Sequence, residues 1–260
     1  MGPGTGHRRA MPLLRLPGVF RPVSDADLLI DAVRREAISG ATDLVDLCTG
    51  TGIVAVAAAR RGARVTAIDV SRRALACARL NGLVAGVRVE TRRGDLFAPL
   101  AGRRVDLITV NPPYLPAAAE GSSVPSGAAR AWEGGTDGRE LITRICAEAA
   151  DHLRSGGRLL MVHSSIIGVD RTLDAMRAGG LDPSVVARRR GPVGPLVHER
   201  AGALRARGYL HPDQHHEDIV VFRGSAPVTR TRGTGAKVSR ETRARGLAEH
   251  LREAQHPLWR

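Results

Sequence analysis

Four consecutive residues after an apolar segment could hold a planar nitrogen nucleophile. Asn111, Pro112, Pro113 and Tyr114 follow the apolar run 105–110, which is typical of a buried parallel strand. Each proline removes an N–H donor, so backbone carbonyls at this turn lack a local partner. The side-chain oxygen of Asn111 and the carbonyl oxygen of Pro112 could together accept both hydrogens of an –NH2 group, and the Tyr114 ring could cover its plane. We predict that these four residues are catalytic.

A glycine-rich turn follows another apolar segment upstream. Gly50, Gly52 and Ala55 match the pattern G-x-G-x-x-A, and Asp69 ends the next strand about 20 residues further on. Taken alone, this pattern permits either a dinucleotide or an adenosyl cofactor, because both need close backbone approach and an acidic partner for ribose hydroxyls. Asp46 separates the two, since its carboxylate would repel a pyrophosphate but attract an ammonium and a sulfonium. We therefore predict S-adenosylmethionine as the cofactor.

The predicted cofactor-binding residues come from several strand ends. Asp95 follows the third predicted strand, where its carboxylate could accept a hydrogen bond from an adenine amino group. The predicted set is Asp46, Cys48, Thr49, Gly50, Gly52, Asp69, Asp95, Leu96 and Asn111. A dehydrogenase would have no use for the Asn-Pro-Pro-Tyr sequence, so the complete pattern favours a methyl donor.

A histidine-rich segment near the end of the domain raises the question of a metal. His211, His215, His216 and Glu217 lie close together, with a proline and an aspartate among them. That composition is more typical of a solvated turn than of a metal centre. We predict no metal site. His163 lies in an apolar strand and is predicted to be a hydrogen-bonded core residue rather than a base.

Alternating strand and helix patterns must position these side chains. Strands are predicted at 43–48, 64–69, 87–91, 105–110, 158–164, 184–189 and 218–223, and helices from Ser24 or Asp25 onward and at 53–61, 72–84, 138–154 and 169–179. This order predicts an α/β fold with a seven-stranded, mostly parallel sheet and helices on both faces. Residues 23–225 form this predicted domain, preceded by an irregular lead-in (1–22) and followed by a basic, flexible tail (226–260).

Composition bounds the class of protein. A chain of 260 residues with 43% hydrophobic residues can bury one α/β core, and no apolar run is long enough to span a membrane. The three cysteines show no paired spacing, which predicts a reducing, cytoplasmic location. The net charge of +13 leaves contact with RNA through the tail open, although aromatic residues, at 3%, are too few for a base-stacking surface.

The chain resembles the HemK/PrmC type of class I methyltransferases, which methylate the side-chain amide of glutamine in translation release factors. The likeness covers about residues 19–224, and its motifs are the lead-in at 19–29, the glycine turn at 46–52, Asp69, Asp95, Asn-Pro-Pro-Tyr at 111–114 and Trp-Glu-Gly-Gly-Thr-Asp-Gly-Arg at 132–139. The resemblance implies a Rossmann-like fold, S-adenosylmethionine as cofactor and a protein substrate such as a release factor. The chain lacks the N-terminal helical domain of the bacterial form, which implies the compact form that pairs with a small partner protein.

Two positions depart from the family pattern. Cys48 stands where the turn has its first glycine, and Ala26 stands where the lead-in has a cofactor-contacting threonine. We expect Cys48 to be accommodated with a negative φ. Two alternatives stay open: methylation of an exocyclic amino group of adenine or guanine in RNA or DNA, and a non-catalytic binding module. The basic charge favours nucleic acid, whereas the 132–139 segment favours a protein acceptor.

Overall fold

A seven-stranded sheet with helices on both faces is formed by residues 13–19, 24–117 and 132–228, the parts of the chain that this computed structural model describes. Its strands are β1 (Asp43–Leu47), β2 (Arg64–Asp69), β3 (Val89–Arg93), β4 (Val105–Val110), β5 (Leu153–Ser164), β6 (Asp182–Pro192) and β7 (His216–Ser225). The helices are α1 (Ser24–Arg35), α2 (Ile53–Ala59), α3 (Arg72–Val84), α4 (Glu140–His152), α5 (Val169–Ala178), α6 (Pro195–Glu199) and α7 (Ala201–Ala206).

The sheet order determines where a ligand can lie. The strands run β3-β2-β1-β4-β5-β7-β6, with β1 to β5 parallel and β7 antiparallel between β5 and β6. The order reverses between β1 and β4, and parallel sheets bind ligands outside the carboxyl ends of their strands at such a point. Asp46 pairs in register with Thr109 across this reversal. The residues that follow β1, β2 and β4 therefore meet at one edge.

Apolar side chains cover both faces of the sheet. Along β4, Ile108 packs into a cluster with α4 and α5, whereas Leu107 packs into a second cluster with α1, α2 and α3. Successive side chains of a strand point to opposite faces, so a strand buried on both sides reads as a continuous apolar run. The predicted fold class is confirmed, including the helices on both faces.

Element boundaries differ from the prediction mainly where turns intervene. The third strand begins at Val89 rather than at 87, because Val87 N donates to Gly82 O and closes the end of α3. Strand β5 begins at Leu153, where the prediction continued a helix to 154. Two short helices, α6 and α7, were not predicted, since five or six residues show too little periodicity to be recognised.

The predicted flanking segments lie mostly outside the described residues. Of the lead-in, 13–19 has irregular backbone and lies on α3, where Leu14 N donates to Asn81 Oδ1 over 2.8 Å. The tail is described only as far as Val228, so both domain boundaries stay predictions. Within the described ranges, no helix has the length and apolar character needed to cross a membrane.

Candidate active site

A cavity of about 1130 Å³ lies at the carboxyl ends of the parallel strands. It brings together eleven of the residues predicted for the site: Asp46, Cys48, Thr49, Gly50, Asp69, Asp95, Leu96, Asn111, Pro112, Pro113 and Tyr114. We call the part near the glycine turn the cofactor end and the part near Asn111 to Tyr114 the acceptor end. Gly52 was also predicted for the site, but it does not line the cavity.

Gly52 instead allows α3 to approach the glycine turn. Its φ is +77°, and a β-carbon at this position would lie 2.6 Å from the Cα and Cβ atoms of Ala78. A glycine is therefore needed for both its backbone conformation and the close contact. The neighbouring Gly50 N donates to Asp69 Oδ2 over 3.0 Å, so the turn and the end of β2 are joined directly.

Cys48 has a φ of +52°, so the expected negative φ is wrong. The next residue explains this conformation, because Thr49 N donates to Ile68 O of β2 and Thr49 O accepts from Gly52 N. These bonds fix the turn whatever residue stands at 48, and a non-glycine residue in the left-handed region is strained by about 1–2 kcal/mol. Burial raises the pKa of the Cys48 thiol, and the nearby Asp69 adds to the increase. The side chain is therefore a neutral thiol.

Asp46 presents a buried carboxylate to the cofactor end. Its side chain accepts hydrogen bonds from Thr49 Oγ1 at 2.6 Å and Thr109 Oγ1 at 2.7 Å. Burial raises its pKa to about 6, although both hydroxyl bonds oppose the increase. At neutral pH the carboxylate is mainly ionised and is held by neutral groups alone among the described residues. Such a site is suited to a ligand cation.

The other two acidic residues of the cofactor end differ in exposure. Asp69 Oδ1 accepts from Ser71 N at 2.9 Å, and burial raises the pKa of its carboxyl. Asp95 lies at the rim, where a half-exposed side chain forms an ion pair with Arg144 at 2.6 Å. Each carboxylate keeps unused acceptor positions, since an ionised carboxylate offers about four. Both can therefore accept bonds from ligand hydroxyl or amino groups.

Unused acceptors define the acceptor end. Within the described parts of the chain, nothing donates a hydrogen bond to the Asn111 side chain or the Pro112 carbonyl oxygen. The Tyr114 hydroxyl donates to Asp25 of α1, which also lines the cavity. Burial raises the pKa of Tyr114, with further contributions from Asp25 and Glu217. The phenol is therefore neutral, and its ring is fixed beside the two free acceptors.

The 132–139 segment packs directly on this turn. Leu115 N donates to Trp132 O over 2.8 Å, and Gly134 N donates to Leu115 O over 2.9 Å. At Gly138, where φ is +74°, a β-carbon would lie only 2.2 Å from Tyr114 O. The segment can therefore lie flat on residues 113–117 only with glycine at this position. Trp132 also lines the cavity.

Arg139 anchors the segment from behind. The guanidinium is buried and its Nη1 donates to Ile167 O at 2.8 Å and Thr172 Oγ1 at 3.0 Å. Burial lowers the pKa of Arg139 to about 10, so it stays charged at neutral pH. Thr172 Oγ1 also lies 2.9 Å from His163 Nε2, and burial lowers the pKa of His163 to about 3. His163 is a neutral, hydrogen-bonded core residue, as predicted.

Glu217 was assigned to a solvated turn, and for this residue the prediction is wrong. The three histidines near it are exposed, but Glu217 is 6% exposed and lines the cavity at the acceptor end. It accepts from Gly194 N at 2.6 Å and from the Ser164 hydroxyl. The period of two in β7 could have revealed it, because Glu217 shares a face with Ile219 and Val221. Asp25 was missed as well, since α1 is distant in sequence from the turn it contacts.

Comparisons with known proteins agree with this geometry. The model of the methyltransferase small domain family matches residues 11–126. A putative protein N5-glutamine methyltransferase of Methanocaldococcus jannaschii is 30% identical over 186 residues, which cover 70% of this chain and 90% of that protein. The release factor glutamine methyltransferase of Gloeobacter violaceus is 38% identical over 167 residues. That match covers 61% of this chain but only 58% of the bacterial protein.

A solved structure shares the fold. The Mtq2–Trm112 complex of E. cuniculi, which is responsible for methylation of the termination factor eRF1, aligns with a TM-score of 0.55 and 22% identity. The alignment covers 80% of this chain and 99% of that one. Fold and cavity together define a class I methyltransferase. The chain belongs to the HemK/PrmC-type family of protein-glutamine methyltransferases.

Proposed function

We propose that this protein methylates the side-chain amide nitrogen of a glutamine in a protein substrate, such as a translation release factor, with S-adenosylmethionine as the donor. One observation carries the proposal. The free acceptors of Asn111 and Pro112 line the same cavity as the buried carboxylate of Asp46 and the half-buried carboxylate of Asp69. A site for an –NH2 group and a site for a cationic adenosyl ligand are thus continuous.

The residues of the cofactor end fit S-adenosylmethionine. Asp46 offers a buried negative charge to the ammonium and sulfonium groups, and Asp69 offers acceptors to the two ribose hydroxyls. Asp95 would accept from the adenine amino group. Further contacts would come from Cys48, Thr49 and Gly50 in the glycine turn and from Leu96, which follows β3. When bound, the cofactor supplies an electrophilic methyl group.

The acceptor end would orient the amide nitrogen. An amide nitrogen is a poor nucleophile because its lone pair is delocalised into the carbonyl group. Acceptance of both N–H hydrogens by Asn111 and Pro112 fixes the amide plane and places acceptors where positive charge develops on nitrogen. Pro113 and the Tyr114 ring, which Asp25 holds through the phenol, pack against that plane. Alignment is therefore the main contribution of these residues.

A small partner protein is part of the proposal. Leu80 of α3 is exposed next to the edge strand β3, and so are Leu83 and Val84, which lie one helical turn further on. The purified chain alone should therefore aggregate or show low activity, and full activity without a partner would remove this part of the proposal. Contact with RNA through the tail falls on residues outside the described ranges and stays a prediction, as does a cytoplasmic location.

Labelled methyl groups provide the test. The purified chain, or its complex with a co-expressed partner, is incubated with labelled S-adenosylmethionine and an unmethylated release factor. We expect label that protease removes and nuclease does not, with the methyl group on a glutamine by mass spectrometry. Asn111→Ala is the control for background transfer. A second incubation replaces the release factor with total cell extract. If only nuclease removes the label there, a nucleobase acceptor would be favoured instead.

A further inference from the structure

Arg200, which lies between α6 and α7, joins two chain segments of the acceptor end. Its Nη2 donates to Glu133 Oε1 at 2.7 Å, and its Nη1 donates to Pro116 O at 3.3 Å. Pro116 lies two residues after the Asn-Pro-Pro-Tyr turn, and Glu133 belongs to the 132–139 segment. The side chains of this ion pair are only 20% and 12% exposed. Loss of one partner would leave the other charge buried and unpaired, so the contact is costly to break.

Arg207, the first residue after α7, makes the equivalent connection one residue further along. Its Nη1 donates to Ala117 O and its Nη2 donates to Thr136 O, both over 2.6 Å. The guanidinium also lies 5.1 Å from the centre of the Tyr209 ring, which limits its movement. Two arginines of one short helical unit thus bind the same pair of segments, and neither of them lines the cavity.

The backbones of the two segments pair with each other as well. Ala117 N donates to Gly135 O over 3.0 Å, next to the bonds that join Leu115 with Trp132 and Gly134. Leu115 follows the Asn-Pro-Pro-Tyr turn directly, so a slip of this pairing would move the turn. The arginine bonds act on the same stretch of chain and oppose such a slip.

Helices α6 and α7 are packed on the core and can hold the two arginines in place. Val197, Ala201 and Leu204 are buried in the core cluster that also contains Leu115. Helix α6 also supplies Leu196 and Val197 to the wall of the cavity. A guanidinium presents its donors in a rigid, planar fork, so the two bonds of one arginine restrain two partners at once. The turn is therefore tied to the wall that an acceptor would touch.

We propose that Arg200 and Arg207 are positioning residues for methyl transfer. They hold the chain after the Asn-Pro-Pro-Tyr turn against the 132–139 segment, so that the free acceptors of the turn stay aligned with the amide nitrogen. Alignment matters because a displacement of about 1 Å costs about a hundredfold in rate. The inference rests on one part of the proposed function, namely that Asn111 and Pro112 hold the nitrogen that receives the methyl group.

Arg200→Met and Arg207→Met test the inference in the preparation that the methyl-transfer assay uses. Turnover is measured with saturating cofactor and an unmethylated release factor, and calorimetry gives the affinity and stoichiometry of cofactor binding. We expect kcat to fall about tenfold or more in each variant, while cofactor affinity changes by less than about twofold. The stoichiometry reports the folded fraction, so a loss of folded protein is not counted as a loss of kcat.

Three further variants separate positioning from stability. Arg205→Met is the matched control, because Arg205 lies on α7 between the two arginines but donates to Gln214 O at 3.4 Å. It should keep kcat within about twofold. Arg200→Lys keeps a positive charge for Glu133 and should retain about threefold more kcat than Arg200→Met. Addition of Glu133→Gln to Arg200→Met should cause no further loss, because both residues act through one contact.

Hydrogen exchange supplies a readout that does not depend on the acceptor. The amides of Leu115, Ala117 and Gly134 bond across the two segments. In Arg207→Met, their exchange should be about tenfold faster, because the pairing opens more often. The amide of Gly50, which bonds to Asp69 at the cofactor end, should exchange at an unchanged rate.

Two kinetic results would overturn the inference. One is an unchanged kcat in both Arg200→Met and Arg207→Met. The other is an equal loss of kcat in Arg205→Met, which would mean that α7 only stabilises the fold. Failure of the proposed function looks different, because then the unaltered protein transfers no methyl group to a release factor. In that case the exchange measurement decides, and unchanged exchange of the paired amides in Arg207→Met removes the role of the arginines.

Discussion

The two ends of the cavity are assembled in different ways. The residues that line the cofactor end come mostly from the stretch 46–96, in which Gly50 N bonds to Asp69 and Thr49 N bonds to Ile68 O. The acceptor end needs α1, the turn after β4, the 132–139 segment and the two strands β5 and β7. A local backbone pattern is therefore enough to build a binding turn, whereas orientation of the reacting group depends on contacts between distant parts of the chain.

The largest expected effect separates the two ends by function. Asn111→Ala removes an acceptor for the target nitrogen and should lower methyl transfer by about two powers of ten or more, with little change in cofactor affinity. Asp69→Ala should do the reverse, because it weakens cofactor binding by about 1.5–3 kcal/mol. Calorimetry and turnover assays on both variants check this. A variant of Asn111 that keeps most of its turnover would show that its role is structural.

Gly138→Ala tests how closely the acceptor end is packed. The added methyl group would lie 2.2 Å from Tyr114 O in a backbone with φ of +74°. We expect the free energy of unfolding to fall by about 2–4 kcal/mol, measured by urea denaturation. Gly202→Ala in α7 is the control, since a β-carbon there meets nothing within 4 Å. Equal stability of the two variants would contradict the close packing.

Asp46→Asn tests the buried charge of the cofactor end. Because its folded pKa of about 6 exceeds the ordinary 3.8, the cost of ionising Asp46 in the fold develops between these two pH values, is complete above about pH 6 and is absent below 3.8. At pH 7, the free energy of unfolding of the variant should therefore be about 1–3 kcal/mol higher than that of the unaltered protein. Asp31→Asn is the control. Because Asp31 forms an exposed ion pair with Arg34, this substitution should change the free energy of unfolding little.

The same variant has an opposite effect on binding. In the unaltered protein, cofactor affinity should fall about tenfold between pH 7 and pH 5 as Asp46 becomes protonated. Asp46→Asn should bind weakly and lose this part of the pH dependence. An unchanged pH profile in the variant, measured by calorimetry, would show that the Asp46 charge does not reach the ligand.

The smallest expected effect concerns the strain at Cys48. Cys48→Gly should raise the free energy of unfolding by about 1 kcal/mol, because glycine adopts the left-handed region without a steric penalty. Cys48→Ala keeps the β-carbon and should give no such gain. Thermal melts of both variants measure the difference.

The positions of cavity residues could be predicted from the sequence where a short, continuous segment determines them. The turn at 46–52, Asp69 and the Asn-Pro-Pro-Tyr turn each follow a recognisable strand, so their meeting at one edge followed from the rules for parallel sheets. Glu217 and Asp25 were missed because their burial depends on partners far along the chain. The φ of Cys48 was wrong for a related reason: hydrogen bonds of its neighbour, rather than its own side chain, determine that conformation.

The position of β7 means that the sheet is completed by the last strand to be synthesised. Strands β1 to β4 leave the ribosome first, whereas β7 comes last and must insert between β5 and β6, which already exist. Domains form as units while the chain emerges from its N-terminus. Glu217 and the partner strand of Ser164 are absent until that insertion. A chain that stops short of residue 216 therefore lacks the strand that joins β5 to β6, so the whole domain must be synthesised before it can fold as one unit.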